Sequence, residues 1–212
     1  SGKIKIRKNP YEKMQNIEAG YRFKNEQFNI GANAYGMFYK DQLIPTGALN
    51  DVGSTLRFNI PNSYRAGLEI DAAWRISTQL IWKATAGLSQ NKIKEFKDET
   101  SGEILKNTDI ALSPSTILSN EFAYSPISSF EISLLSKFIS RQYLDNSSAK
   151  ERSIDPSFVN NVRAIYKMSF WNIKNIDLAL SVNNIFNEKY QTSGYTWGYM
   201  DGTDRKSFNF YY

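Results

Sequence analysis

The chain has 212 residues, a formal net charge of +5, and neither Cys nor His. Without thiol or imidazole it has no disulfide framework, no thiolate metal site and no Ser-His-Asp type of hydrolytic triad. Its apolar runs are a few residues long, far below the roughly 20 that a membrane-spanning helix needs, yet 14% of the residues are aromatic.

The N-terminal stretch SGKIKIRKNP has no apolar signal core, so a leader has been removed or the chain is an internal piece of a longer one. Beyond it the dominant pattern is alternation with period two, the mark of a half-exposed β-strand. Residues 16–23, NIEAGYRF, put Ile17, Ala19, Tyr21 and Phe23 on one face and Glu18, Gly20 and Arg22 on the other. Residues 28–38 do the same with Phe28, Ile30, Ala32, Ala34 and Phe38. The clearest run is YRAGLEIDAAWRI at 64–76, where Tyr64, Ala66, Leu68, Ile70, Ala72, Trp74 and Ile76 alternate with mostly charged residues. Residues 80–91 follow with Leu80, Trp82, Ala84, Ala86 and Leu88, and weaker runs cover 116–124 and 129–141. FVNNVRAIYKMSF at 158–170 and IDLALSV at 176–182 complete about eight strands, with a ninth beginning at Ser207.

The connections alternate in length. Short ones stand at 24–27, 76–79, 125–129 and 171–175, and long polar ones at about 40–62, 92–115, 142–157 and 187–206. In an up-and-down barrel this sorts all short turns to one rim and all long loops to the other, as outer-membrane barrels do. The strands of roughly 10–14 residues exceed the usual soluble length and fit a tilted membrane crossing. Tyr21, Phe23, Phe28, Trp74, Trp82, Tyr124, Phe130 and Phe170 gather beside the short turns, where an aromatic girdle at headgroup level is expected. The sequence thus predicts an all-β, transmembrane, antiparallel up-and-down β-barrel, with Leu68, Ile70, Ala84, Ala86, Leu134, Leu178 and Leu180 facing lipid.

The second face carries charges of both signs, among them Glu18, Arg22, Arg65, Glu69, Asp71, Arg75, Lys83, Glu121, Lys137, Arg163 and Asp177. A polar barrel interior explains them, filled by water or by a plug. Glu69 and Asp71 share a face like a pair of catalytic carboxylates, but Arg65 and Arg75 stand on that face too, and salt-bridged wall residues are expected. No glycine-rich phosphate loop is present. The expectation is a protein that is not an enzyme, with no catalytic residues, no metal site and no cofactor. Nucleic acid is not expected as a partner, since the strands indicate none of its binding folds.

Two asparagines end the last apolar strand in VNNIFNEKY, Val182–Tyr190. This stretch resembles the V-x-N-L-F-[ND]-x-x-Y signature near the C-terminus of TonB-dependent outer-membrane receptors, with Ile185 in place of the usual Leu. NPYEKMQNIEAGYRF, residues 9–23, is similar to that family's N-P-x-L-K-P-E-x-x-x-x-x-E-x-G-Y segment. It keeps Asn9, Pro10, Glu18, Gly20 and Tyr21 but lacks the second proline and its glutamate. LSPSTILSNEFAY at 112–124 is similar to a P-x-h-x-x-N strand opening of the family.

The resemblance implies a segment of about 8–9 strands from a barrel of about 22 whose lumen an N-terminal plug closes. Residues 1–212 are then the C-terminal portion of the barrel, with the plug domain and TonB box not in this chain. The natural protein is expected to continue for about 10–20 residues and to end in an aromatic. The implied function is a receptor in the outer membrane of a Gram-negative bacterium. It binds a scarce nutrient (iron–siderophore, haem, cobalamin or a glycan or peptide) outside and imports it with TonB-transduced energy. The implied partners are outer-membrane lipid, the plug of the same receptor, the TonB complex acting through that plug, the nutrient ligand and, in some branches, a surface lipoprotein lid. Tyr195, Trp197 and Tyr199 in the last long loop, with Arg141 and Tyr143 at the head of another, are the candidate ligand contacts, because aromatic loop surface suits apolar or glycan cargo. Two alternatives stay open: a small complete outer-membrane barrel acting as passive pore or membrane enzyme, and a soluble β sandwich used for adhesion.

Overall fold

The computed structural model describes residues 11–49, 52–98, 101–171 and 173–212, and the described residues contain strands and turns but no helix. The strands, in chain order, are β1 (Lys13–Lys24), β2 (Phe28–Leu49), β3 (Thr55–Arg75), β4 (Leu80–Lys97), β5 (Ile104–Asp109), β6 (Thr116–Ile127), β7 (Phe130–Ile139), β8 (Gln142–Tyr143), β9 (Ser153–Ile154), β10 (Ser157–Phe170), β11 (Ile173–Val182), β12 (Gly194–Asp201) and β13 (Asp204–Tyr211). One sheet holds the sequence β1-β2-β3-β4-β6-β7-β10-β11, each strand antiparallel to the next, and β5 folds back along β4. The eight expected strands are therefore the eight of this meander. The ninth, placed at Ser207, belongs instead to a separate hairpin of β12 and β13.

Register assigns the faces. Phe28, Trp74, Trp82, Phe122, Leu134, Val162 and Val182 form one continuous cross-strand row. Tyr21, Ala32, Ile70, Ala86, Leu118, Phe138 and Phe158 form another on the same face. The opposite face holds the row Arg22, Gly31, Asp71, Thr85, Ser119 and Lys137. A slip of one residue anywhere would exchange these faces, so the alternation itself locks the register. Near the short turns the rings stack, Phe28 on Trp74 at 5.1 Å and Trp82 on Phe122 at 6.1 Å. The turns are fixed locally: Asn25 Oδ1 accepts from the Gln27 and Phe28 amides, and Ser77 Oγ from those of Gln79 and Leu80.

One row interrupts the apolar face. Between the two apolar rows, Phe23, Ile30, Ala72 and Ala84 continue into Asn120, Ser136 and Asn160. Ser136 and Asn160 are buried among their neighbours, and Asn160 Nδ2 has no hydrogen-bond partner among the described residues.

The long-loop end departs most from expectation. Within residues 40–62, predicted as a polar loop, 40–49 and 55–62 are the outer halves of β2 and β3, paired from Gln42↔Ile60 to Leu49↔Thr55. Their apolar residues serve a different purpose from those lower down. Ile44 and Ile60 pack with Ile93, Phe96 and Ile110 into a buried cluster, with Phe58 and Leu105 against it. The extensions of β2, β3 and β4 together with β5 thus carry a small core of their own at this end.

VNNIFNEKY closes β11 by a local device. Asn184 adopts φ 52°. Its amide donates to Asn161 Oδ1, its Oδ1 accepts from the Glu188 amide and its Nδ2 donates to the Glu188 carbonyl, at 2.8, 2.8 and 2.9 Å. Asparagine tolerates this left-handed conformation better than other non-glycine residues. The signature is a strand stop that turns the chain and leaves Phe186 exposed.

Candidate functional site

At the long-loop end a hairpin is built on the turn from Asp201 to Asp204, where Gly202 supplies φ 62°. Alternation gives it two unlike faces. Tyr195, Trp197 and Tyr199 of β12 and Phe208, Phe210 and Tyr212 on the returning arm lie on one side. Their rings form a ladder: Tyr195 on Phe210 at 4.9 Å, Trp197 on Phe208 at 5.7 Å, Trp197 against Tyr199 at 5.7 Å and Tyr195 against Tyr212 at 6.5 Å. This ladder is largely exposed, with Trp197 at 56%. A contiguous apolar patch of this kind marks an interaction surface.

The other side is small and polar, and it docks. Thr196 is buried, Asn209 Nδ2 donates to the Glu151 carbonyl at 2.6 Å, and Tyr211 Oη donates to the Ser153 carbonyl at 3.1 Å. Arg205 makes the charged contacts. Its Nη1 donates to Asp98 at the end of β4, and its Nη2 to Asp145 Oδ2 at 3.2 Å. Asp145 also accepts from Arg152 Nε at 2.7 Å, both side chains being 7% exposed. Two carboxylates and two guanidiniums therefore neutralise one another, which is how buried charges are tolerated.

The loop carrying Asp145 is itself pinned. Asn146, fully buried, accepts from the Ala111 amide and donates to the Pro45 carbonyl, both at 2.8 Å. Ser148 Oγ donates to Asp109 Oδ2 at 2.9 Å, and Asp109 pairs with Lys92 at 2.7 Å. Four sequence-distant segments thus converge on one cluster.

Between the hairpin and the ends of β2, β3 and β4 lies a cavity of about 270 Å³, lined by Thr46, Arg57, Phe58, Phe96, Trp197 and Arg205 among others. A second, more open hollow of about 430 Å³ lies on the polar face of the meander, around Lys83, Glu121 and Lys137. There Glu121 binds both Lys83 at 3.3 Å and Arg163 at 3.2 Å.

Some of the wall charges pair, but not with the partners expected for them. Asp71 accepts two bonds from Arg22, at 2.8 and 2.9 Å, across Gly31, while Arg65 donates to Asn91 and Ser113. Arg65 and Arg75 lie along the same strand as Asp71. Arg22 lies in its cross-strand row, and the missing side chain at Gly31 clears the path: a Cβ there would sit 2.5 Å from Asp71 Oδ1. Among the described residues no group of three metal-ligating side chains converges.

Of the five candidate contacts, the fold brings Tyr195, Trp197 and Tyr199 onto one ladder. Arg141 stands apart in the 140–156 segment, paired with Asp155 at 2.9 Å and donating to Ser153 Oγ at 2.7 Å. Tyr143 pairs with Ser153 in the two-residue ladder of β8 and β9, and its carbonyl accepts from Leu112. Sequence reasoning missed Asp98, Asp145, Arg152, Arg205 and Asn146, all of which read as solvated loop residues until the loops are folded together.

Known proteins agree with this architecture. The family model described as "TonB dependent receptor-like, beta-barrel" matches residues 7–185. No curated protein matches the chain. Among solved structures, the ferric yersiniabactin uptake receptor FyuA from Yersinia pestis superposes with a TM-score of 0.62 at 16% identity, over 93% of this chain and 28% of its own. The siderophore receptor PiuA from Acinetobacter baumannii gives 0.62 at 14% identity, over 87% and 25%. The copper transporter OprC gives 0.67 at 16% identity, over 87% and 27%. The chain spans roughly a quarter of the length of these proteins. With the meander, its two faces and the match over residues 7–185 in place, the chain belongs to the TonB-dependent receptor β-barrel family.

Proposed function

We propose that this chain is the C-terminal portion of the barrel of an outer-membrane active-transport receptor that imports a scarce nutrient with TonB-transduced energy. The observation that carries the reading is the meander itself, matched to the receptor barrel family, with one end elaborated into an aromatic hairpin on a folded loop platform. In this reading the continuous apolar rows face lipid, and the hairpin end lies outside the cell. The ion-paired face lines the lumen. The hollow around Lys83, Glu121 and Lys137 offers hydrogen-bonding groups to a plug supplied by the rest of the receptor, through which the TonB complex acts. FyuA is a ferric yersiniabactin uptake receptor, PiuA a siderophore receptor and OprC a copper transporter, and a metal-chelate nutrient is the cargo class we favour.

Tyr195, Trp197 and Tyr199 are the proposed cargo contacts, because they share one ring ladder at the outer end, Trp197 and Tyr199 exposed and Tyr195 half-buried. Arg141 and Tyr143 are the weaker part of the set, since each already has a partner in its own loop.

The test is uptake of labelled ferric siderophores, haem and cobalamin by cells with and without the full-length receptor. Receptor-dependent uptake of one of them that stops when a protonophore collapses the proton motive force is the expected result. Entry that continues with the protonophore would instead indicate a passive pore. Replacing Tyr195, Trp197 and Tyr199 together with Ala is expected to lower that uptake at least tenfold, and unchanged uptake would remove them from the site.

A further inference from the structure

The cavity beneath the hairpin shares Trp197 with the exposed aromatic ladder, and its charged lining is unevenly paired. Its charged lining residues are Arg57, Asp98, Asp145 and Arg205. Arg205 binds both carboxylates, and Asp145 in addition holds Arg152. Among the lining charges, Asp98 and Asp145 are both engaged by Arg205. The Arg57 side chain has no hydrogen bond or ion pair among the described residues. The lining therefore carries one uncommitted charge, a guanidinium. Phe58, Phe96, Leu56 and Trp197 supply the apolar part of the wall.

A pocket with one free guanidinium against apolar and aromatic walls selects a small ligand with an anionic group on a flat or apolar body. A carboxylate takes two parallel N–H···O bonds from arginine, a geometry that ammonium donors cannot match. The two carboxylates do not invite a cation, because each is already occupied by arginine. The volume of about 270 Å³ exceeds that of a bare inorganic anion and is close to that of a single ring with its substituents.

We propose that this cavity is a binding site for a small aromatic or apolar carboxylate, with Arg57 as its anion-binding residue and the Arg205 cluster as the fixed wall that holds the hairpin over it. The proposal rests on the outer end of this barrel being accessible to solutes, as the transport reading has it, but not on import.

The experiment uses the full-length receptor purified in detergent, with p-nitrobenzoate as probe and neutral p-nitrobenzamide as control, measured by calorimetry or ligand-observed NMR. The Arg57 side chain is exposed and makes no bond among the described residues, so Arg57→Gln should leave the fold intact; unchanged heat-modifiable migration would verify that. The expected result is saturable binding of the carboxylate, at least tenfold weaker binding of the amide, and at least a tenfold loss in Arg57→Gln. Arg57→Lys should restore part of the affinity but not all of it. Lys106→Gln, which removes an exposed charge elsewhere, should leave binding unchanged. Equal binding of acid and amide, no saturable binding of the acid, or equal losses in Arg57→Gln and Lys106→Gln would each overturn the proposal. Binding is read without TonB or cells. A receptor that imports cargo yet ignores the probe refutes this site alone, and one that binds the probe yet imports nothing refutes the transport reading alone.

Discussion

Asp145 is the residue on which the outer platform turns, and Asp145→Asn tests the platform with a minimal change in shape. Asp145 accepts four bonds. Oδ1 receives the Ser147 amide at 3.1 Å and the Ser147 hydroxyl at 2.5 Å, and Oδ2 receives Arg152 Nε at 2.7 Å and Arg205 Nη2 at 3.2 Å. An asparagine has only one acceptor oxygen. If that oxygen faces the arginines, its NH₂ group opposes the Ser147 amide; if it faces Ser147, the NH₂ opposes two guanidiniums. Either way a buried donor is left unpaired, and Arg152 and Arg205 lose the carboxylate that they share.

Removing one partner from a buried charge pair costs about 3–5 kcal/mol. The lower end applies here, because Arg205 keeps Asp98 and Arg152 keeps Ser147 at 2.6 Å and Glu151 at 3.3 Å. About 3 kcal/mol raises the population of the undocked hairpin on the order of 100-fold. Trypsin reads this directly, since Arg205 and Lys206 lie on the docked arm. In the folded receptor, cleavage at Arg205–Lys206, followed by mass spectrometry, should accelerate by about that factor. Adding Arg152→Met to Asp145→Asn should recover part of the protection by removing the surplus cation. Cleavage of Asp145→Asn within twofold of the parent would show that the cluster does not hold the hairpin.

Three further outcomes follow from the geometry. Leu178 is central in β11 and 56% exposed on the apolar face; in a membrane barrel, Leu178→Arg should cost about 2–4 kcal/mol and reduce the heat-modifiable form on gels, whereas normal assembly would place that face away from lipid. At Gly67 a Cβ would lie 2.8 Å from Tyr35 Oη and against the Leu88 carbonyl oxygen, so Gly67→Val should lower the unfolding midpoint in denaturant through overpacking of about 1–3 kcal/mol, and an unshifted midpoint would refute the close approach. Asn184→Ala should cost about 1–2 kcal/mol through its lost bonds and its positive φ and raise amide exchange over 184–190, while Asn184→Gly should recover only the backbone share; equal exchange in all three proteins would remove the strand-stop role.

The sequence by itself determined the meander. Alternation with period two is a property of the extended backbone, so the residues of each strand declare their face without knowing their neighbours. Short turns are equally local: Asn25 and Ser77 bond amides two and three residues ahead. Hence the eight strands, their two faces and the aromatic band beside the short turns were legible, and so was the family signature around Asn184.

The outer end was not legible, because its decisive contacts join residues far apart in the chain. Arg205 and Asp98 are separated by 107 positions, Arg205 and Asp145 by 60, and Asn146 and Pro45 by 101. Nothing near Arg205 in DGTDRK distinguishes it from a solvated charge. Ile44 and Ile60 read as interruptions in a polar loop until β2 and β3 extend and bring them against Ile93 and Ile110. The same holds on the lumen wall, where Asp71 finds Arg22 only because register sets Gly31 between them. The strands follow from local stereochemistry; the hairpin, its buried charges and the cavity with Arg57 on its wall follow from which distant segments the tertiary fold allows to touch.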